Sequence, residues 1–119
     1  MSIEDLESVA LAMVAPGKGI IAIDESTSTI KKRFDAVGIE NNEENRRAYR
    51  ELLLTTPGLN AHISGAILYD ETIRQSPRDG VPFTEVMKKA GIIPGIKVDK
   101  GPVPLAGFPG DVVTEGLDG

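Results

Sequence analysis

Three short apolar stretches, each breaking abruptly into acidic side chains, constrain this chain more than anything else in it. Ile20-Ile21-Ala22-Ile23 runs into Asp24-Glu25, "ISGAILY" (63–69) into Asp70-Glu71, and "IIPGIKVD" (92–99) ends on Asp99. A short continuous apolar run bounded by turn or polar residues fits a strand buried on both faces. Pro94 removes one ladder donor from the first half of the third run.

The intervening sequence carries helical periodicity. Residues 2–15 predict an amphipathic helix with Ser2 and Asp5 as a capping pair and Leu6, Val9, Ala10, Met13 and Val14 on one face, stopped by Pro16-Gly17. From Thr27, the residues Ile30, Phe34 and Val37 line one side of a short helix, with Gly38 as its stop. Residues 42–55 form a longer one, capped from Asn41 and Glu44, with Ala48, Tyr49, Leu52 and Leu53 as its buried face. Around 83–90 a further helix ends at Gly91, with Lys88 and Lys89 suiting its C-terminal dipole. The Pro- and Gly-rich tail beyond Lys100 reads as a loop with one hairpin.

Strands alternating with helices predict an α/β fold with a parallel, helix-covered sheet. A TIM (β/α)8 barrel takes about 250 residues, roughly thirty per unit, so a chain of 119 residues covers about the first three strands, as part of a single incomplete domain over 1–119. Three such strands leave apolar surface bare and two edges unpaired. A doubly wound open sheet is the structural rival.

A net charge of −5 argues against a nucleic-acid surface. With no cysteine and His62 the single histidine, neither a disulfide scaffold nor a transition-metal site is expected. No run approaches the ~20 apolar residues of a membrane span. Glu4, Asp5 and Glu7 stand where a targeting peptide would carry positive charge. The expectation is a soluble cytoplasmic protein without membrane or nucleic-acid partners.

In parallel α/β folds, functional groups collect where strands end. Asp24, Glu25, Asp70, Glu71, Lys97 and Asp99 all fall there. Alternation sends Asp24 and Glu25 to opposite sides and puts Lys97 and Asp99 on the same one. An inward Asp24 near an inward Lys97 makes a charge pair suited to proton transfer or imine chemistry. The alternative is that Asp24 caps the next helix and Lys97 is solvated. Ser26, Thr27, Ser28 and Thr29, at a helix start with Arg33 one turn further on, suit an anion; ordinary capping with solvated cations is the competing reading. "EENRRAYRELLL" reads as a solvated outer face, and His62 as structural.

Taken together, "GKGIIAIDEST", "NNEENRRAYRELLL", "GAILYDET" and "GIKVDKGPVPLAG" closely resemble the class I fructose-1,6-bisphosphate aldolase family, along nearly the whole chain. The resemblance implies a (β/α)8 barrel, usually a homotetramer. It also implies reversible cleavage of fructose 1,6-bisphosphate to dihydroxyacetone phosphate and glyceraldehyde 3-phosphate through a lysine imine, without a metal or other cofactor. By motif, Asp24 looks like the family's active-site aspartate, and Lys97 like a substrate lysine that tunes it. Ser26, Thr29 and Arg33 match phosphate-binding positions, and Asp118 matches an aspartate near a subunit interface. Thr29 stands where many members have serine, and Ser28 where glycine is common. The imine-forming lysine and the proton-transferring glutamate of the family belong to later strands, so the isolated chain is expected to be inactive. Two other readings stay open: a non-catalytic module that associates with other subunits, and a smaller phosphosugar enzyme in which Lys97 itself forms the imine.

Overall fold

The computed structural model describes residues 2–117. Three parallel strands lie side by side in the order β1 (Gly19–Ile23), β2 (Ile63–Leu68), β3 (Ile93–Ile96). Parallel neighbours require long crossovers, and these are helical. α2 (Thr27–Asp35), α3 (Glu43–Leu54) and α4 (Leu59–His62) connect β1 to β2, while α5 (Asp70–Ile73) and α6 (Phe83–Lys89) connect β2 to β3. α1 (Ile3–Met13) precedes the sheet, and an antiparallel hairpin of β4 (Gly101–Pro104) and β5 (Val112–Glu115) follows it. The α/β alternation and the tail hairpin are therefore as expected.

One sheet face carries the core. Ile21 and Ile23 of β1 and Ala66 and Leu68 of β2 meet Leu53 and Leu54 of α3, Phe83 and Met87 of α6, and Ile92. Leu68, Phe83 and Met87 are wholly buried; each side chain of this size contributes about 1.5–3 kcal/mol on leaving water. The other face, to which alternation assigns Ile20, Ala22, Gly65 and Ile67, has little over it. Gly65 is the exception, because a β-carbon there would lie 2.6 Å from Met13 Sδ. Its bare backbone is what lets the end of α1 come down onto β2.

Burial on both faces holds only for the central strand. β2 is flanked on both sides and buried along most of its length, whereas β1 is an edge strand whose Ile20 is 47% exposed. α1 has the expected capping box of Ser2 and Asp5, but Leu6 and Val9 of its apolar face are exposed. Pro94 does sit within β3, which among the described residues pairs with β2 alone, and an edge strand tolerates a missing donor. β3 ends at Ile96, so that Val98 and Asp99 run on past the ladder instead of completing a strand to 99. Val37 lies beyond the end of α2 and is exposed. α4 and α5, four residues each, are too short to leave a periodic signal and were not anticipated.

The surface is large for the length. The radius of gyration is 16.6 Å, against about 13.5 Å for a compact chain of this size. The accessible surface is 7932 Å², where about 6,200 Å² is typical of a folded monomer.

Candidate active site

The strand register aligns Ile23, Leu68 and Ile96 in one row across the sheet. The next residue on each strand is Asp24, Tyr69 or Lys97, and alternation turns all three away from the helix-covered core, toward the open face. Lys97 stays in register, its backbone N–H donating to Leu68 O at 2.9 Å. Its ammonium donates to Asp99 Oδ2, with which it forms an ion pair. That bond is the main reason the Lys97 pKa lies above the ordinary lysine value; partial loss of water opposes it, and the charges of Asp99 and Asp24 reinforce it. Asp99 is held below the usual carboxylate range, chiefly by the same bond. Asp24 and Lys97 thus stand two strands apart at the mouth of the open face, with Asp99 as the direct partner of the lysine. Tyr69, between them, was not singled out from the sequence; counting alternation across all three strands at once would have found it.

Asp24 does not cap the following helix. Ser26 occupies the N-cap of α2, and its Oγ accepts from the Thr29 N–H at 3.4 Å. The same Oγ lies 3.0 Å from Ser28 Oγ and 3.2 Å from Thr29 Oγ1. Three hydroxyls therefore crowd the first turn, where the backbone N–H groups of a helix are free and the dipole is positive. Arg33 follows Thr29 by one turn, and its guanidinium is paired with Glu25 Oε1.

Glu25 goes to the helix side of β1, as alternation requires, and there it meets α3. Arg50 Nη2 donates to the Glu25 backbone oxygen at 2.9 Å and lies 3.2 Å from Oε2. The Arg50 side chain is only 3% exposed. Burial pushes its pKa down, and the charge of Glu25 opposes that shift. The reading of α3 as a solvated outer face is corrected here. Its inward stripe is Arg46, Arg50 and Leu54, spaced i, i+4, while Leu52 is 69% exposed and Ala48 faces water. Arg46 makes a fork of bonds to Glu71, at 2.8 and 2.7 Å, and a further bond to Asn41 Oδ1 at 3.1 Å. The helix cap is Asn42, accepting from Asn45 N, rather than Asn41 or Glu44. Of the apolar face expected for this helix, Leu53 packs on the core and Tyr49 lies edge-on to Phe34, while Ala48 and Leu52 face water. Hydrophobicity missed the two arginines because the groups needing cover included the two junction glutamates. The echo between "AIDEST" and "LYDETI" was the available signal: each junction glutamate takes one arginine of α3.

His62 ends α4 and is exposed, and Asp118 lies outside the described residues. Among the described residues, no group of three or more His, Cys, Asp or Glu side chains is placed to hold a metal ion, and no helix is long and apolar enough to cross a membrane.

Polar and charged side chains gathered at the carboxyl ends of parallel strands mark an α/β enzyme site. A model of the class I fructose-bisphosphate aldolase family matches residues 5–119, and the chain belongs to that family. It is 76% identical over 119 residues to a "Probable fructose-bisphosphate aldolase class 1" of Xanthomonas campestris, covering all of this chain and 36% of the relative. Over 115 residues it is 58% identical to "Fructose-bisphosphate aldolase 2" of Caenorhabditis elegans, covering 97% of this chain and 31% of the other. A crystal structure of fructose-bisphosphate aldolase from Plasmodium falciparum, in complex with TRAP and a small-molecule inhibitor, superposes with a TM-score of 0.92 at 51% identity, over 97% of this chain and 33% of that one. The chain thus spans about a third of the length of these relatives.

Proposed function

We propose that this chain contributes one wall of a class I aldolase site that cleaves fructose 1,6-bisphosphate reversibly, as in glycolysis, to dihydroxyacetone phosphate and glyceraldehyde 3-phosphate. Asp24 and Lys97 are the catalytic residues, both on the open face with Tyr69 between them. The hydroxyls of Ser26 and Thr29, with Arg33, hold one phosphate. The electron sink is an imine on a lysine that these 119 residues do not supply. Residues 1–119 then make up the opening part of one (β/α)8 barrel domain in a cytoplasmic homotetramer, with Asp118 near a subunit interface.

The observation that carries this reading is the row Asp24–Tyr69–Lys97 beyond the strand ends, on a sheet face that, among the described residues, is largely bare apart from the end of α1. The excess surface and the unpaired edges of β1 and β3 are what a barrel segment presents before its remaining strands close on it. The test is complementation. The chain is mixed with a polypeptide covering the part of the Xanthomonas campestris relative beyond its matched region, and cleavage of fructose 1,6-bisphosphate is followed. Activity is expected only in the mixture, and borohydride trapping should leave the substrate adduct on a lysine of the added polypeptide. An adduct on Lys97 would overturn the assignment in favour of a smaller imine enzyme. A mixture that assembles but stays inactive would favour a non-catalytic module.

A further inference from the structure

The carboxylate of Glu25 lies between two arginines that hold it very differently. Arg33 takes Oε1, and its side chain is 56% exposed. Arg50 approaches from α3, immobilised in the interior, with Nη2 3.2 Å from Oε2. This second contact is incomplete. Oε2 accepts no hydrogen bond, and the buried Nε and Nη1 of Arg50 have no acceptor among the described residues. Three unsatisfied polar atoms at one buried spot are costly, and a carboxylate facing an unused guanidinium fork is the pairing that would satisfy them.

We propose that Glu25 is a positioning residue shared between two arginines: an anion arriving at the Ser26–Thr29 turn takes Arg33, and the released carboxylate rotates onto the open fork of Arg50. This rests on the reading of Arg33 as a phosphate ligand and adds how that ligand is stored and released. In the empty site Glu25 stands in for the anion and holds Arg33 one turn beyond the hydroxyls. In the filled site Arg50 keeps the carboxylate paired, so Glu25 never competes with the phosphate as an unpartnered charge. No covalent step is involved; Glu25 gives up its pair with Arg33 and completes the one it already has with Arg50. Ser26 follows Glu25 directly in the chain, so the exchange sits next to the first hydroxyl of the cradle.

The side-chain Nε–Hε signals of Arg33 and Arg50 report the two pairings separately. They would be followed by NMR in the 119-residue chain labelled with ¹⁵N-arginine and titrated with inorganic phosphate. Both signals should move with the same half-saturation concentration. In Arg33→Gln, whose site of change is exposed, the Arg50 signal should already stand at its phosphate-shifted position and ignore added phosphate. In Glu25→Gln, phosphate should still move Arg33, with affinity tightened by up to about fivefold, the worth of one exposed ion pair. A purely structural Arg50 predicts no phosphate response at its Nε. An Arg33 signal that responds while Arg50 stays still would overturn the exchange and leave the phosphate reading standing. An Arg33 signal that ignores phosphate would overturn both.

Discussion

Replacing Ser26 separates the two roles that its position allows. Its Oγ caps α2, but the bond to the Thr29 N–H is 3.4 Å long, beyond the usual 2.7–3.2 Å for such bonds. A full N-cap loses about 0.5–2 kcal/mol on change to alanine and only a few tenths on change to glycine. The stretched bond puts Ser26→Ala at the low end, near 0.5 kcal/mol, and Ser26→Gly close to wild type. Ligand binding should respond differently, because both variants lose the hydroxyl. A hydrogen bond to a charged group contributes about 1.5–3 kcal/mol, so fructose 1,6-bisphosphate should bind about ten- to 150-fold more weakly to each. Urea unfolding followed by circular dichroism gives the first quantity, and an NMR shift titration with the bisphosphate gives the second. A Ser26→Gly chain that matches wild type in both measurements would refute the argument and leave Ser26 as a cap alone.

The Lys97–Asp99 pair predicts a broad pH plateau. Asp99 is depressed below its ordinary 3.8, so its contribution is present above that value and is lost as pH falls through the lower folded pKa. Lys97 is raised above its ordinary 10.5, so its contribution is present below that value and is lost as pH rises through the higher folded pKa. An NMR titration of the Asp99 carboxyl should therefore have its midpoint below 3.8, and Lys97→Met should move that midpoint upward; an unmoved midpoint would show that the pair is not formed in solution. Phe83→Ala empties the centre of the core, where the ring is wholly buried, and should cost about 3–5 kcal/mol, read as a lower urea midpoint with an unchanged slope.

Several features were legible in the chain because they depend on neighbours in sequence. Apolar runs breaking into carboxylates mark strand ends, Ser2 with Asp5 and the hydroxyls after Glu25 mark helix starts, and Gly91, at a φ of 73°, marks a stop that other residues adopt only with strain. The α/β order and the candidates Asp24, Ser26, Thr29, Arg33 and Lys97 followed from these local signals and from the family motifs. Tertiary structure alone decided which groups meet. The strand register placed Tyr69 between Asp24 and Lys97, and the rotation of α3 turned Arg46 and Arg50 inward to Glu71 and Glu25 while leaving Leu52 in water. Hydrophobic periodicity could not report that rotation, because a half-buried carboxylate selects its partner by charge and reach. Nor could the strands' composition show that β1 has an uncovered face: side chains patterned for burial look the same whether or not the segments that cover them are present.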